Sequence, residues 1–322
     1  MEWTADVAAG DWIRDRIDPA SRTIRAVVPA GFEAYARIFH PPFRDRPVGR
    51  AWPEAGDRAA WDAFEGVEID GELTTWATAA HAFGTRMHPL AQWQTLIPAD
   101  APRRGGDPGD PCDADGWRYG APATGRLEPE LLAAAARHLV AHTSTPDAGF
   151  AALWEGWGGV LGGMTEGTAR AALAFASDGL DPHVAERHRE MLGRSVRDRF
   201  NRVFRKPTWQ PGVLSDEISR GPRLELPGRG HVLFRAAPAE FARPDWQDLA
   251  PWIEPGGASD ESPSLIWPED RSWLLATEVD HDSTIVAGTT ELVRDLCADP
   301  HLEAHAIPSD ADLTARGDAA GR

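Results

Sequence analysis

Three short clusters in the 322-residue chain combine side-chain types and spacings that chemistry can use. The first is His301-Leu302-Glu303-Ala304-His305. In an extended strand alternate residues share a face, so His301, Glu303 and His305 would project together. Imidazole nitrogens and a carboxylate are suitable zinc or iron ligands. The competing reading is the solvated face of an edge strand, and Ile307, which falls on the histidine face, fits neither version cleanly. The second cluster, Asp280-His281-Asp282, follows the apolar run SWLLATEV (272–279). A turn at the end of a rigid strand is exposed yet firmly held, which suits catalytic acid-base groups. An ordinary polar turn has the same composition.

The third cluster is Trp154-Glu155-Gly156-Trp157-Gly158-Gly159. Indoles over a groove bind flat ligands, and a carboxylate beside them can hold hydroxyls or act as acid or base. Trp154 and Trp157 are therefore candidate ligand contacts and Glu155 a candidate catalytic group. Trp93, Trp267 and Trp273 are candidates for the same pocket, from a chain with fourteen tryptophans. Against this, tryptophan is a large core residue, and glycines beside it relieve crowding.

Weaker pairs follow. His138 and His142 stand four apart on a helix and face the same way, but no glutamate completes an HExxH motif. They read as half-buried, hydrogen-bonded histidines. His81 and His88 are separated by a helix end that Pro89 marks. Cys112 and Cys297 form no CxxC pair and no disulfide framework. The run GGVLGG is neither a dinucleotide fingerprint nor a phosphate loop, and no GxSxG elbow occurs.

The elements that would position these groups come from periodicity. DVAAGDWIRDRI reads as a short helix. Ile24–Val28 and Phe32–Phe39 read as a β-hairpin about Pro29-Ala30-Gly31, with Tyr35, Arg37 and Phe39 alternating against Ala34, Ala36 and Ile38. Asp57 caps a short helix with Ala60, Trp61 and Phe64. Leu73, Trp76, Ala80 and Phe83 give helical spacing over 72–83. The Gly-, Pro- and Asp-rich stretch 101–125 reads as a long flexible surface loop. Leu131–Ala141 is a helix with Pro129 in its first turn, and 150–154 is a strand. A helix is expected around Pro182 to Phe200. Hairpins are expected over 223–235 and 264–279, a helix over 290–297, an extended segment over 301–307, and a frayed tail from Ser309.

The pattern predicts one α+β domain over 1–308, with a mixed or mainly antiparallel sheet built from N- and C-terminal segments and helices packed on it. Composition sets the partners. The net charge of −17 argues against nucleic acid, whose phosphates need a basic surface. Only the run RSVRDRFNRVFRK, Arg194 to Lys206, gathers cations, six against one aspartate. Lys206 is the single lysine, and the bias toward Arg, Ala, Gly and Pro is associated with high-GC bacterial genomes. Neither a signal peptide nor a run of roughly 20 apolar residues is recognisable, so a cytoplasmic location without membrane contact is expected. These readings favour a binding protein with an aromatic-lined cleft for a basic protein or a small molecule. The alternatives are a metal-assisted or acid-base hydrolase and an assembly protein.

Overall fold

The computed structural model describes residues 1–54, 57–105, 109–165, 208–254, 261–314 and 317–318. The expected helix near Pro182 to Phe200 and the cationic run Arg194 to Lys206 lie outside the described residues. In chain order the strands used below are β1 (Glu2–Trp3), β2 (Ala34–Phe39), β3 (Phe43–Pro47), β4 (Ile69–Leu73), β5 (Arg118–Tyr119), β6 (Gly149–Trp154), β7 (Leu224–Leu226), β8 (Arg229–Arg235), β9 (Leu265–Pro268), β10 (Leu274–Thr277), β11 (Ser283–Gly288) and β12 (Ala304–Ile307). The helices are α1 (Asp11–Arg14), α2 (Arg58–Asp62), α3 (Trp76–Ala82), α4 (Pro129–Ala141), α5 (Pro238–Phe241) and α6 (Thr290–Ala298).

Nine strands form the main sheet in the order β1-β8-β6-β9-β10-β11-β2-β12, with β7 also paired to β8. All its pairings are antiparallel, so the fold is α+β on an antiparallel sheet. Strand alternation gives this sheet two apolar faces. One face, with Ile38, Leu153, Phe234 and Val286, packs on Leu132 and Leu139 of α4 and on Leu292 and Leu296 of α6. The run of buried alanines at 133–136 in α4 lets that helix lie close to the strands. The opposite face, with Tyr35, Leu233, Trp267 and Ile285, is covered by Trp12, Ile13, Ile24 and Val28. The sheet is therefore the middle of three layers.

Two local expectations are corrected. Ile24–Ala26 is a 3-10 turn rather than a strand. Ile24 N–H donates to Ala311 O at 2.9 Å, and the buried Ile24 and Val28 side chains press onto the sheet. A short apolar run carries the same signal whether it becomes a buried turn or a strand. The helix expected from residue 72 starts at Trp76, because 69–73 pairs with β3 as β4.

In the Gly-rich stretch, Arg103–Arg104 pairs with Asp110–Pro111, and β5 joins β3. Arg118 there is buried and binds Asp45 through two hydrogen bonds of 2.9 and 2.7 Å. Beyond β12, Asp318 is buried and accepts from Gln92 N–H at 3.0 Å.

Candidate functional site

Two of the three clusters meet at one end of the sheet, joined by an arginine that sequence spacing did not flag. Arg229 opens β8 and reaches past the ends of β6 and β9 to the β10–β11 turn. Its Nη2 lies 2.7 Å from Glu278 Oε1 and 2.5 Å from Asp280 Oδ2. Its guanidinium carbon sits 5.2 Å from the centre of the Trp154 ring. Trp154 in turn meets Trp157 edge-on, with centroids 5.4 Å apart. Glu155 is exposed and pairs with Arg223 at 3.0 Å. The chain turns here because Gly156 has no side chain. A Cβ at that position would stand 2.1 Å from the Trp154 ring. Gly125, at φ +77°, fits between Val279 and Trp157, and its N–H donates to His281 O at 2.9 Å.

Next to Arg229 a small recess opens between the sheet and the N-terminal layer. Its walls include Ile17, Val27, Leu226, Leu265, His231 and Glu278, and it encloses about 40 Å³. His231 is buried, and its Nδ1 has no hydrogen-bond partner. Burial lowers the ring pKa to about 4, although the nearby backbone of Leu224 and Arg229 acts the other way. The ring is thus neutral at pH 7, and Nδ1 stands ready to make one hydrogen bond. His231 shares the covered face of β8 with Leu233, two residues on, which was a readable signal. Trp154 and Trp157 do not line this recess. Trp267 and Trp273 are core residues, the former stacked on Phe150 at 5.5 Å, and Trp93 packs on Trp76.

The Asp280, His281 and Asp282 side chains part company. Asp280 goes to Arg229. His281 is half-buried and its pKa is lowered, mainly by desolvation. Asp282 accepts from Arg37 Nη2 at 3.2 Å. Arg37 is 1% exposed inside the sheet. It also donates to Ser283 Oγ at 2.9 Å and Ala91 O at 2.7 Å, and it lies 4.2 Å from the Phe39 ring centre. Burial lowers its pKa to about 10, with Asp282 opposing the shift.

A neutral relay runs beside it. His40 Nδ1 lies 2.7 Å from Ala123 O. A carbonyl only accepts, so Nδ1 carries the proton, and Nε2 accepts from Thr284 Oγ1 at 2.9 Å. Thr284 then accepts from Thr277 Oγ1 at 2.8 Å. Burial holds the His40 pKa at about 4.

The His301–His305 cluster does not assemble as alternation implied, because the strand begins only at Ala304. His301 is exposed and bonds Asp299 through Nδ1 at 2.9 Å. Glu303 instead caps α3. Its carboxylate accepts from Trp76 N–H at 2.6 Å and Ala77 N–H at 2.7 Å. Burial raises the Glu303 pKa, partly offset by those two donors. His305 lies edge-on to Phe39 at 5.8 Å. Among the described residues no group of three His, Cys, Asp or Glu side chains is placed to hold a metal ion.

The helix histidines are hydrogen-bonded and partly buried. His138 meets Asp299 at 2.8 Å and His142 meets Asp295 at 3.0 Å, tying α4 to α6. Cys112 is buried and Cys297 exposed, and neither is in a disulfide. No described helix is long and apolar enough to cross a membrane. Comparison with protein-family models, with curated proteins and with solved structures finds no match for this chain.

Proposed function

We propose that the protein binds a small polar molecule at the end of the sheet where Arg229, His231 and Glu278 meet. The observation that carries this reading is the buried, unpartnered His231 Nδ1 on the wall of a recess. A buried polar atom without a partner costs roughly 1–3 kcal/mol, and a hydrogen bond from a ligand group to that nitrogen would relieve the cost. Ile17, Val27, Leu226 and Leu265 supply apolar walls, and at about 40 Å³ the recess takes one polar group of a ligand whose remainder lies outside it. Trp154 backs Arg229 and Trp157 braces Trp154, so the indoles support the site from behind. Binding is favoured over acid-base catalysis because Arg229, Glu278, Asp280 and Asp282 are all engaged in ion pairs. The chain's negative charge favours a neutral or cationic ligand over an anion.

Isothermal titration against small amines, amino-acid amides and polyols tests the reading. A binder should lose at least about tenfold in affinity on His231→Leu, the equivalent of one buried hydrogen bond, and keep it on Glu155→Gln. Affinity that survives His231→Leu would leave the recess to an ordered water.

A further inference from the structure

We infer that the β3–β4 hairpin is a docking edge for an extended segment of a partner protein in which apolar and basic residues alternate. The large hydrophobic side chains exposed among the described residues are Phe43, Val48, Ile69 and Leu73, at 48%, 51%, 42% and 53%. All four lie in this hairpin or next to it. Phe43, Ile69 and Leu73 share one face of the pair, and such a cluster of exposed apolar side chains marks an interaction surface.

The backbone is open at the same place. The small sheet runs β4-β3-β5, so β4 is an edge. Val48 N–H donates to Glu68 O and Thr74 N–H to Pro42 O, each at 2.9 Å. Antiparallel pairs alternate between bonded and unbonded, so the inward bonds of β4 fall on Asp70 and Glu72. The N–H and C=O groups of Ile69, Gly71 and Leu73 point outward from the edge. Natural sheets guard such edges with charge, above all lysine, or with proline, and here the only charges are the two carboxylates of Asp70 and Glu72. The sequence Ile-Asp-Gly-Glu-Leu has no lysine and no proline, so its charge would repel an acidic strand and admit a basic one.

The side chains specify the occupant. On one face Ile69 and Leu73 flank Gly71, across which the Phe43 ring lies, since a Cβ on Gly71 would meet Phe43 Cζ at 2.5 Å. On the other face Trp117 carries Arg44 and Arg46, each 4.3 Å from its ring centre. Arg44 pairs with Glu72, and Arg46 stands 3.8 Å from Asp70. Each acid thus has a cation on its inner side and, among the described residues, no strand on its outer side. A lysine or arginine in an added strand would continue this alternation of charge. The chain's net charge of −17 adds long-range attraction. A second copy fits poorly: antiparallel pairing about Gly71 would set Asp70 opposite Glu72 of the other copy, and like charges directly opposed destabilise a sheet.

The probe is a fluorescein-labelled peptide of alternating lysine and valine, titrated with the full chain and read by anisotropy. Saturable binding is expected. It should weaken about tenfold or more with the peptide N-methylated on alternate amides, a loss that two hydrogen bonds account for. A comparable loss is expected for the isosteric pair Asp70→Asn with Glu72→Gln, and a glutamate–valine peptide should not bind. Equal binding of the N-methylated peptide would overturn the proposal, because attraction by net charge alone would then explain it. A wild-type dimer that dissociates on Ile69→Lys in sedimentation velocity would also overturn it, with a second copy as the occupant.

Discussion

Arg37 and Asp282 face each other at the junction of β2 and β11, with Nη2 3.2 Å from Oδ1. The pair is lopsided: the guanidinium is 1% exposed, while the carboxylate keeps about a fifth of its surface. The arginine's burial is offset by acceptors on three of its nitrogens, at Asp282, Ser283 and Ala91. Arg37→Met should destabilise the fold by about 3 kcal/mol, at the low end for a broken buried pair because water can reach Asp282. Arg37→Lys should recover little, since one ammonium nitrogen cannot reach acceptors that three separate guanidinium nitrogens serve. Urea denaturation of the two variants checks both statements.

His40 and His231 make stability depend on pH. Each has a folded pKa of about 4, against 6.5 for a free imidazole. The unfolded chain therefore binds protons first as pH falls. The stabilising contribution is fully present above pH 6.5 and is lost as pH falls toward 4. Between pH 7 and pH 5 each histidine should remove about 2 kcal/mol from the free energy of unfolding. Urea curves at the two pH values should show a smaller difference for His40→Gln than for the parent. An unchanged difference would mean that the ring is already protonated in the folded state.

Much of the architecture was legible because strand and helix periods are local properties. The strands at 149–154, 265–268 and 274–277 and the helices at 129–141 and 290–298 follow from alternation, helical spacing and a first-turn proline. The 3-10 turn at Ile24 and the start of α3 were not legible, since each is decided by a distant partner: Ala311 in one case and β3 in the other. The candidate site shows the same division. Trp154 and Asp280 were visible as clusters, but their link is Arg229, and only the sheet order brings it to both. Glu303 looked like a ligand because its neighbours are histidines. Its use is set by a helix start more than two hundred residues away in the chain.

That helix start separates Glu303 from His301. The first free N–H groups of α3 are filled by Glu303, for Trp76 and Ala77, and by Thr75 Oγ1, for Thr78 at 3.0 Å. Removing the carboxylate leaves two helix donors without acceptors. Glu303→Ala should cost about 1–2 kcal/mol. His301→Ala, at an exposed ring bonded to Asp299, should stay within about 0.5 kcal/mol of the parent. Thermal unfolding of the two variants decides between this division and a shared ligand set, in which both substitutions would move together.

Gly156 and Trp154 should be energetically coupled. The indole folds back over the glycine, so an added methyl meets ring atoms rather than solvent. Gly156→Ala should destabilise the protein by about 1–3 kcal/mol, the usual range for overpacking. If the ring is the obstacle, the same change in a Trp154→Ala background should cost well under half as much. A double-mutant cycle by urea denaturation measures that coupling directly. Because Trp154 lies under Arg229, the displaced indole should also loosen the Arg229 pairs with Glu278 and Asp280. Any small molecule bound through His231 should then bind more weakly to Gly156→Ala than to the parent. Additive costs in the cycle would place the strain in the backbone turn and detach Trp154 from the site.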